Sequence, residues 1–197
     1  MALKIWVFAE EISGAPAPPS LELLSKARSM GGEVAAVYAG AGSDEAFAAL
    51  GAHGAARVFH IETGDALPTG GLAAAIAGLA EEHAPDLILF GMGFNDRDVA
   101  GRLSARLDRP VLANAVDLTA DGGTVTVTSE ILGGTSIVEA AFTGPAPWLA
   151  IARPKAFPAE PAGAAAPEVV AVPIGETGPA RILEHHEETA EGPQLED

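Results

Sequence analysis

The residues best placed to do chemistry lie in one short stretch, Gly91-Met92-Gly93-Phe94-Asn95-Asp96-Arg97. Glycines ahead of a helix leave backbone amides free to hold a phosphate, and Arg97 could add positive charge. A dinucleotide fingerprint of the form G-x-G-x-x-G needs a third glycine, but position 96 is Asp96, a carboxylate where a pyrophosphate should lie. No G-x-x-x-x-G-K-[ST] phosphate loop occurs in the chain. Two readings follow. In the plainer and preferred one, Gly91 and Gly93 supply backbone angles for a strand-to-helix turn. In the other, Gly91, Gly93, Asn95 and Arg97 form an adenine-nucleotide site in a stand-alone domain.

Other candidates are weaker. The histidines are His53, His60, His83, His185 and His186, and only the last two are adjacent, flanked by Glu184, Glu187 and Glu188. Imidazoles and carboxylates suit zinc or manganese. Successive helical positions, however, point about 100° apart, so a solvated acidic linker is preferred over a metal site. Asp96, Asp98 and Asp108 look like a cap and helix-end charges and not a general acid and base pair, and Ser20 and Ser129 have no histidine at a recognisable hydrolase spacing. No catalytic group and no metal site is expected. Arg153, before Pro154 at the end of an apolar strand, is a candidate for a subunit interface, where its guanidinium could pair with a partner's carboxylate. An ordinary exposed cation fits it equally well.

These residues must be held by a scaffold whose pattern is clear. Leu87 to Phe90 is an unbroken apolar run of strand length, as in a parallel strand covered on both faces. The spacing predicts a helix capped by Asn95, with Asp98 as its capping-box acid, Val99, Leu103 and Leu107 facing inward, and an end at Pro110. Val111 and Leu112 begin another strand. Before this unit come strands at residues 4–9, 34–38 and 57–61, and helices capped by Ser20, opened by Ser43, and spanning 72–83. Alternation of this kind gives an α/β fold, an open and mostly parallel sheet with helices on both faces. Residues 124–128, 136–141 and 148–152 read as antiparallel strands added at its edge. The division expected is a domain over 1–157 and a proline-rich acidic arm or linker over 158–197, with prolines at 158, 161, 167, 173 and 179 and one acidic helical turn or two within 182–191. Such an arm needs a neighbour to order it.

Totals narrow the function. The 197 residues carry 27 Asp and Glu against 11 Lys and Arg, a net charge of −16. That argues against nucleic acid or an anionic membrane surface as the main partner. Absence of cysteine excludes disulfides, thiolate catalysis and iron–sulfur ligation by this chain. The first residues become acidic too early for a signal peptide, and the longest helix-like apolar run, 72–80, is far too short to span a bilayer. A soluble, cytoplasmic protein without membrane insertion is expected.

Several segments, in order, resemble the N-terminal domain of the electron transfer flavoprotein alpha subunit. They are the first strand running into Ala9-Glu10, PSLELLSKAR at 19–28, LGAHGAARVF at 50–59, PDLILFG at 85–91, RDVAGRLSARLDRPVLANAVDL at 97–118, SEILGGTSIVEA, and WLAIARPKAF at 148–157. RILEHHEETAEGPQLED at 181–197 resembles the connector leading into that subunit's flavin-binding domain. The resemblance implies a Rossmann-like sheet of the adenine nucleotide alpha hydrolase type, in a heterodimer with a beta subunit. It implies FAD bound mainly by a C-terminal alpha domain, AMP where present in the beta subunit, and electrons passing from flavoprotein dehydrogenases to a downstream acceptor. This chain, ending where the flavin domain should begin, would then be a scaffold and subunit interface that holds no cofactor alone.

Overall fold

The computed structural model describes residues 2–64, 67–163 and 166–184. In chain order the elements are β1 (Lys4–Ile12), β2 (Ala15–Pro16), α1 (Pro18–Ser29), β3 (Glu33–Ala39), α2 (Asp44–Ala52), β4 (Arg57–Ile61), α3 (Thr69–His83), β5 (Leu87–Phe90) and α4 (Phe94–Leu107). Strands β6 (Val111–Asp121), β7 (Thr124–Ile131), β8 (Ser136–Ala141), β9 (Trp148–Ala152) and β10 (Glu168–Ala171) follow. All but β2, which pairs with β1, lie in the order β10-β4-β3-β1-β5-β9-β6-β7-β8.

The period-two pattern of the strands builds two apolar layers. Ile5, Val7, Leu87 and Leu89 point to one face, where Leu23, Leu24 and Ala27 of α1 and Ala46 and Leu50 of α2 cover them. Trp6, Phe8, Ile88 and Phe90 point to the other, under Leu72 and Ile76 of α3 and Val99 and Leu103 of α4. Each large side chain buried this way contributes roughly 1.5–3 kcal/mol, so strands covered on both sides hold most of the stability. The expected α/β sheet with helices on both faces is what the chain forms.

Three local expectations need correction. Strand β9 is not an antiparallel edge strand. It lies parallel between β5 and β6, in register Leu87↔Trp148 on one side and Val111↔Leu149 on the other. The physical reason is in its residues: Leu149, Ala150, Ile151 and Ala152 are all buried, and an edge would leave such a run uncovered. Ser20 does not cap α1. The helix starts at Pro18 after Ala17, because Pro18 and Pro19 preset the helical φ and have no N–H to satisfy. Nor does Asn95 cap α4, for the reason given below.

Beyond β9 the sheet changes character. Strand β6 pairs parallel with β9 and antiparallel with β7, with register shifts on both sides around Ala115, and bulges of this kind bend and twist a strand. The β6–β7–β8 ribbon ends in β8, whose outer edge has no neighbouring strand among the described residues. At the opposite edge, residues 168–171 of the expected arm form β10, parallel to β4.

Candidate functional site

Strands β3 and β5 flank β1 on opposite sides, so the chain's winding reverses there. In sheets of this kind the crevice at the carboxyl ends of the two strands is the general ligand position. Here that crevice is formed by Glu10 and Glu11 at the end of β1 and by the turn 91–96 after β5.

Gly93, extended at φ −60° and ψ 167°, is the residue before α4, and Asp96 stands three positions on. The Asp96 carboxylate turns back over the turn, where Oδ1 accepts the Gly91 N–H at 2.9 Å and Oδ2 the Gly93 N–H at 3.1 Å. A Cβ on Gly93 would sit 2.6 Å from Asp96 Oδ2, so glycine is needed for the carboxylate's close approach. Asp96 wins the capping role over Asp98 because it reaches two amides at once. Asp98 instead pairs with Arg102 one turn on, at 3.0 Å, and bonds to Thr69 and Arg102 hold its carboxyl below the usual range.

The remaining residues of the stretch face different partners. Asn95 Nδ2 donates to Glu10 Oε1, tying the start of α4 to the end of β1. Arg97 folds back over the Phe94 ring, its guanidinium carbon 5.4 Å from the centroid, and its Nε reaches Gly93 O at 3.4 Å. Glu11 performs for the neighbouring loop what Asp96 does for this one, its Oε2 accepting both the Tyr38 hydroxyl and the Gly42 N–H at 2.8 Å. Burial, with help from Glu11, pushes the Tyr38 phenol well above its ordinary value.

The electrostatics follow. Burial raises the Asp96 carboxyl to about 6; the Gly91 amide opposes this and the nearby Glu10 charge adds to it. A phosphate would have to displace Asp96 from the two amides and sit beside Glu10, like charges at close range. The residues present therefore do not fit a phosphate-bearing cofactor. A hollow at the amino ends of the strands, lined by Lys4, Trp6, Arg57, Phe59, His83 and Glu168, has a volume of about 180 Å³, and one sharing Arg57, Phe59, His83 and Glu168 with it and running along β10 to Pro173 has a volume of about 420 Å³.

Arg153 belongs to a different region. Its backbone N–H donates to Ala115 O of β6 at 2.9 Å, and its Nη1 lies 2.7 Å from Glu130 Oε2 on β7. Glu130 pairs in register with Ile137 of β8. Around that point Ile131, Leu132, Ile137 and Val138 are 42, 77, 68 and 42% exposed. Ile137 and Val138 are consecutive in a strand and so face opposite ways, and both are exposed. The end of the ribbon thus stands clear of the domain on both faces.

His53 and His60 bond to backbone carbonyls of Ala49 and Gly40, and His83 packs on Phe59. Among the described residues no group of three or more His, Asp or Glu gathers as a metal site. His185 and His186, and most of the turn expected over 182–191, lie outside the described residues. Sequence reasoning missed Glu10, Glu11 and the pair Ile137 and Val138. The available signals were two carboxylates directly after an apolar strand and two consecutive branched apolar residues in a short strand beside a Gly-Gly turn.

The electron transfer flavoprotein domain family matches residues 5–176. The electron transfer flavoprotein subunit alpha of Mycobacterium tuberculosis is 34% identical over 170 residues, covering 84% of this chain and 52% of its own. That of Syntrophomonas wolfei is 30% identical over 152 residues, covering 76 and 47%. A protein named FixB from Clostridium saccharobutylicum is 30% identical over 161 residues, covering 78 and 48%. The chain spans about half the length of these curated relatives. No helix among the described residues is long and apolar enough to cross a membrane. With its sheet, its length of match and its relatives in agreement, the chain belongs to the electron transfer flavoprotein family and is similar to that family's alpha subunits.

Proposed function

We propose that this chain is the docking half of an electron transfer flavoprotein alpha subunit, a scaffold that binds a beta subunit and carries neither redox centre nor catalytic group. FAD is held by the other half of the alpha subunit, AMP where present by the beta subunit, and the assembled protein carries electrons from flavoprotein dehydrogenases to a downstream acceptor in the cytoplasm. A cysteine-free composition suits that setting. One contrast carries the proposal. The amides at the sheet's switch point are filled by the chain's own carboxylates, whereas the ribbon around Arg153 leaves four large apolar side chains open to a partner. A hydrophobic edge of this kind is a liability in a lone protein and an asset in a subunit.

Of the two readings of the Gly91–Arg97 turn, the geometry supports the structural one. Calorimetry of the isolated chain with AMP, ATP and FAD is expected to give no uptake, and mixing with an electron transfer flavoprotein beta subunit to give a stable complex. Micromolar nucleotide binding without capture of that subunit would reverse the order of the two readings.

A further inference from the structure

The arm does not leave the domain where its prolines begin. Glu168 N–H donates to Ala56 O at 3.0 Å, and its carboxylate lies 2.7 Å from Arg57 Nη2. Four residues then pair with β4, and Val172 N–H continues to His60 O at 2.8 Å. Val170, Val172 and Ile174 alternate inward against the layer under α3, with Val169, Ala171 and Pro173 outward. The path reaches the first turn of α3, where Gly175 N–H donates to Gly71 O at 3.2 Å, and stays beside it as far as Ala180, whose carbonyl accepts the Leu67 N–H at 3.4 Å.

The Gly175 contact is made by two glycines, and neither has room for a side chain. A Cβ on Gly71 would lie 2.8 Å from Gly175 O and 2.8 Å from Ile174 Cγ1, and one on Gly175 would lie 2.7 Å from Ala74 Cβ and 2.8 Å from Gly71 O. No left-handed backbone at either position calls for glycine. Gly71 lies in a helix, where alanine is intrinsically the better residue. Close approach is what it provides instead.

We propose that residues 168–176 are a strap closed by a Gly71–Gly175 catch, which fixes the arm along the β4 edge and delivers the following chain to the start of α3. Resting on the docking reading above, the consequence for a chain that continues into a flavin-bearing half is that the connector is held to this domain well past Pro158, through the Gly175 catch and on to Ala180. The catch thereby sets the connector's path against the start of α3.

Amide hydrogen exchange on the full 197-residue chain tests the catch without flavin or partner, so its failure is separate from failure of the docking reading. The variants are Gly71→Ala and, as a control in the same helix, Gly78→Ala, where an added Cβ meets nothing within 4 Å. Gly71→Ala is expected to speed exchange at the Gly175 and Val172 amides by about tenfold or more while leaving β1, β3 and β5 protected, and Gly78→Ala to change none of them. Gly175→Ala approaches the contact from the strap's side and is expected to match Gly71→Ala, so the test survives if one variant folds poorly. Unchanged exchange at Gly175 and Val172 in the catch variants would overturn the proposal.

Discussion

The centre of the sheet and its β8 edge differ in what their side chains leave open. The switch-point rim has the residues a ligand site would use, a glycine turn, a helix start and neighbouring polar groups, yet Asp96 and Glu11 already occupy its amides. The β6–β8 ribbon instead presents Ile131, Leu132, Ile137 and Val138 to solvent. A domain can thus keep the architecture of a nucleotide-binding fold while filling the site from within, and leave large apolar side chains open on strands added at the far edge. Site location follows the fold; site function follows what the particular side chains leave open.

The comparison can be broken at several places, beginning with stability. Phe90→Ala, in a strand buried on both faces, is expected to cost about 3–5 kcal/mol in denaturant unfolding. Leu132→Ala at the ribbon's tip is expected to change stability by less than about 0.5 kcal/mol. Similar losses at the two positions would mean that the ribbon is part of the core.

The next effect is pH-dependent. The Asp96 carboxyl is raised to about 6 in the fold, so the folded chain binds its proton more tightly than the unfolded chain. Its ionised form is therefore a penalty at neutral pH, relieved as pH falls through 6 towards the ordinary carboxylate value. Relative to Asp96→Asn, which cannot titrate, the wild type is expected to gain roughly 2–3 kcal/mol between pH 7.5 and 4. A constant difference would contradict the burial of that carboxylate. Asp98 and Asp117, whose carboxyls are lowered by partners, act with the opposite sign. Their contribution is present above the unfolded value and is lost as pH falls below about 4.

Smallest is the effect of Arg153→Ala on the isolated chain. Its ion pair with Glu130 is more than two-fifths exposed on both sides, and exposed pairs are worth about 0–1 kcal/mol. Thermal unfolding should barely move, while affinity for a beta subunit should fall measurably. An unchanged affinity would remove Arg153 from the interface.

Much of this scaffold was legible in the residues. Leu87 to Phe90 and the four-residue steps of Val99, Leu103 and Leu107 announce a buried strand and its covering helix because burial needs that periodicity. Trp148 to Ala152 announced a strand equally well, but its place between β5 and β6 depends on pairing partners remote in sequence, and local pattern does not encode those. The alternation of Val170, Val172 and Ile174 was masked by Pro167 and Pro173, which are harmless at an edge and outside the paired residues. Asp96 was recognised as hostile to a phosphate. That it would itself take the two amides was a question of reach, which sequence spacing left shared between Asp96 and Asp98.

Docking through the ribbon is the claim on which the functional account rests. Its direct measurement is the dissociation constant between this chain and an electron transfer flavoprotein beta subunit, compared for the wild type and a Leu132→Asp, Ile137→Asp double variant whose fold is checked by circular dichroism. A loss of roughly a hundredfold or more is expected, the size of effect that buried apolar anchors carry in an interface. Equal affinity for both chains, with the fold intact, would contradict the account.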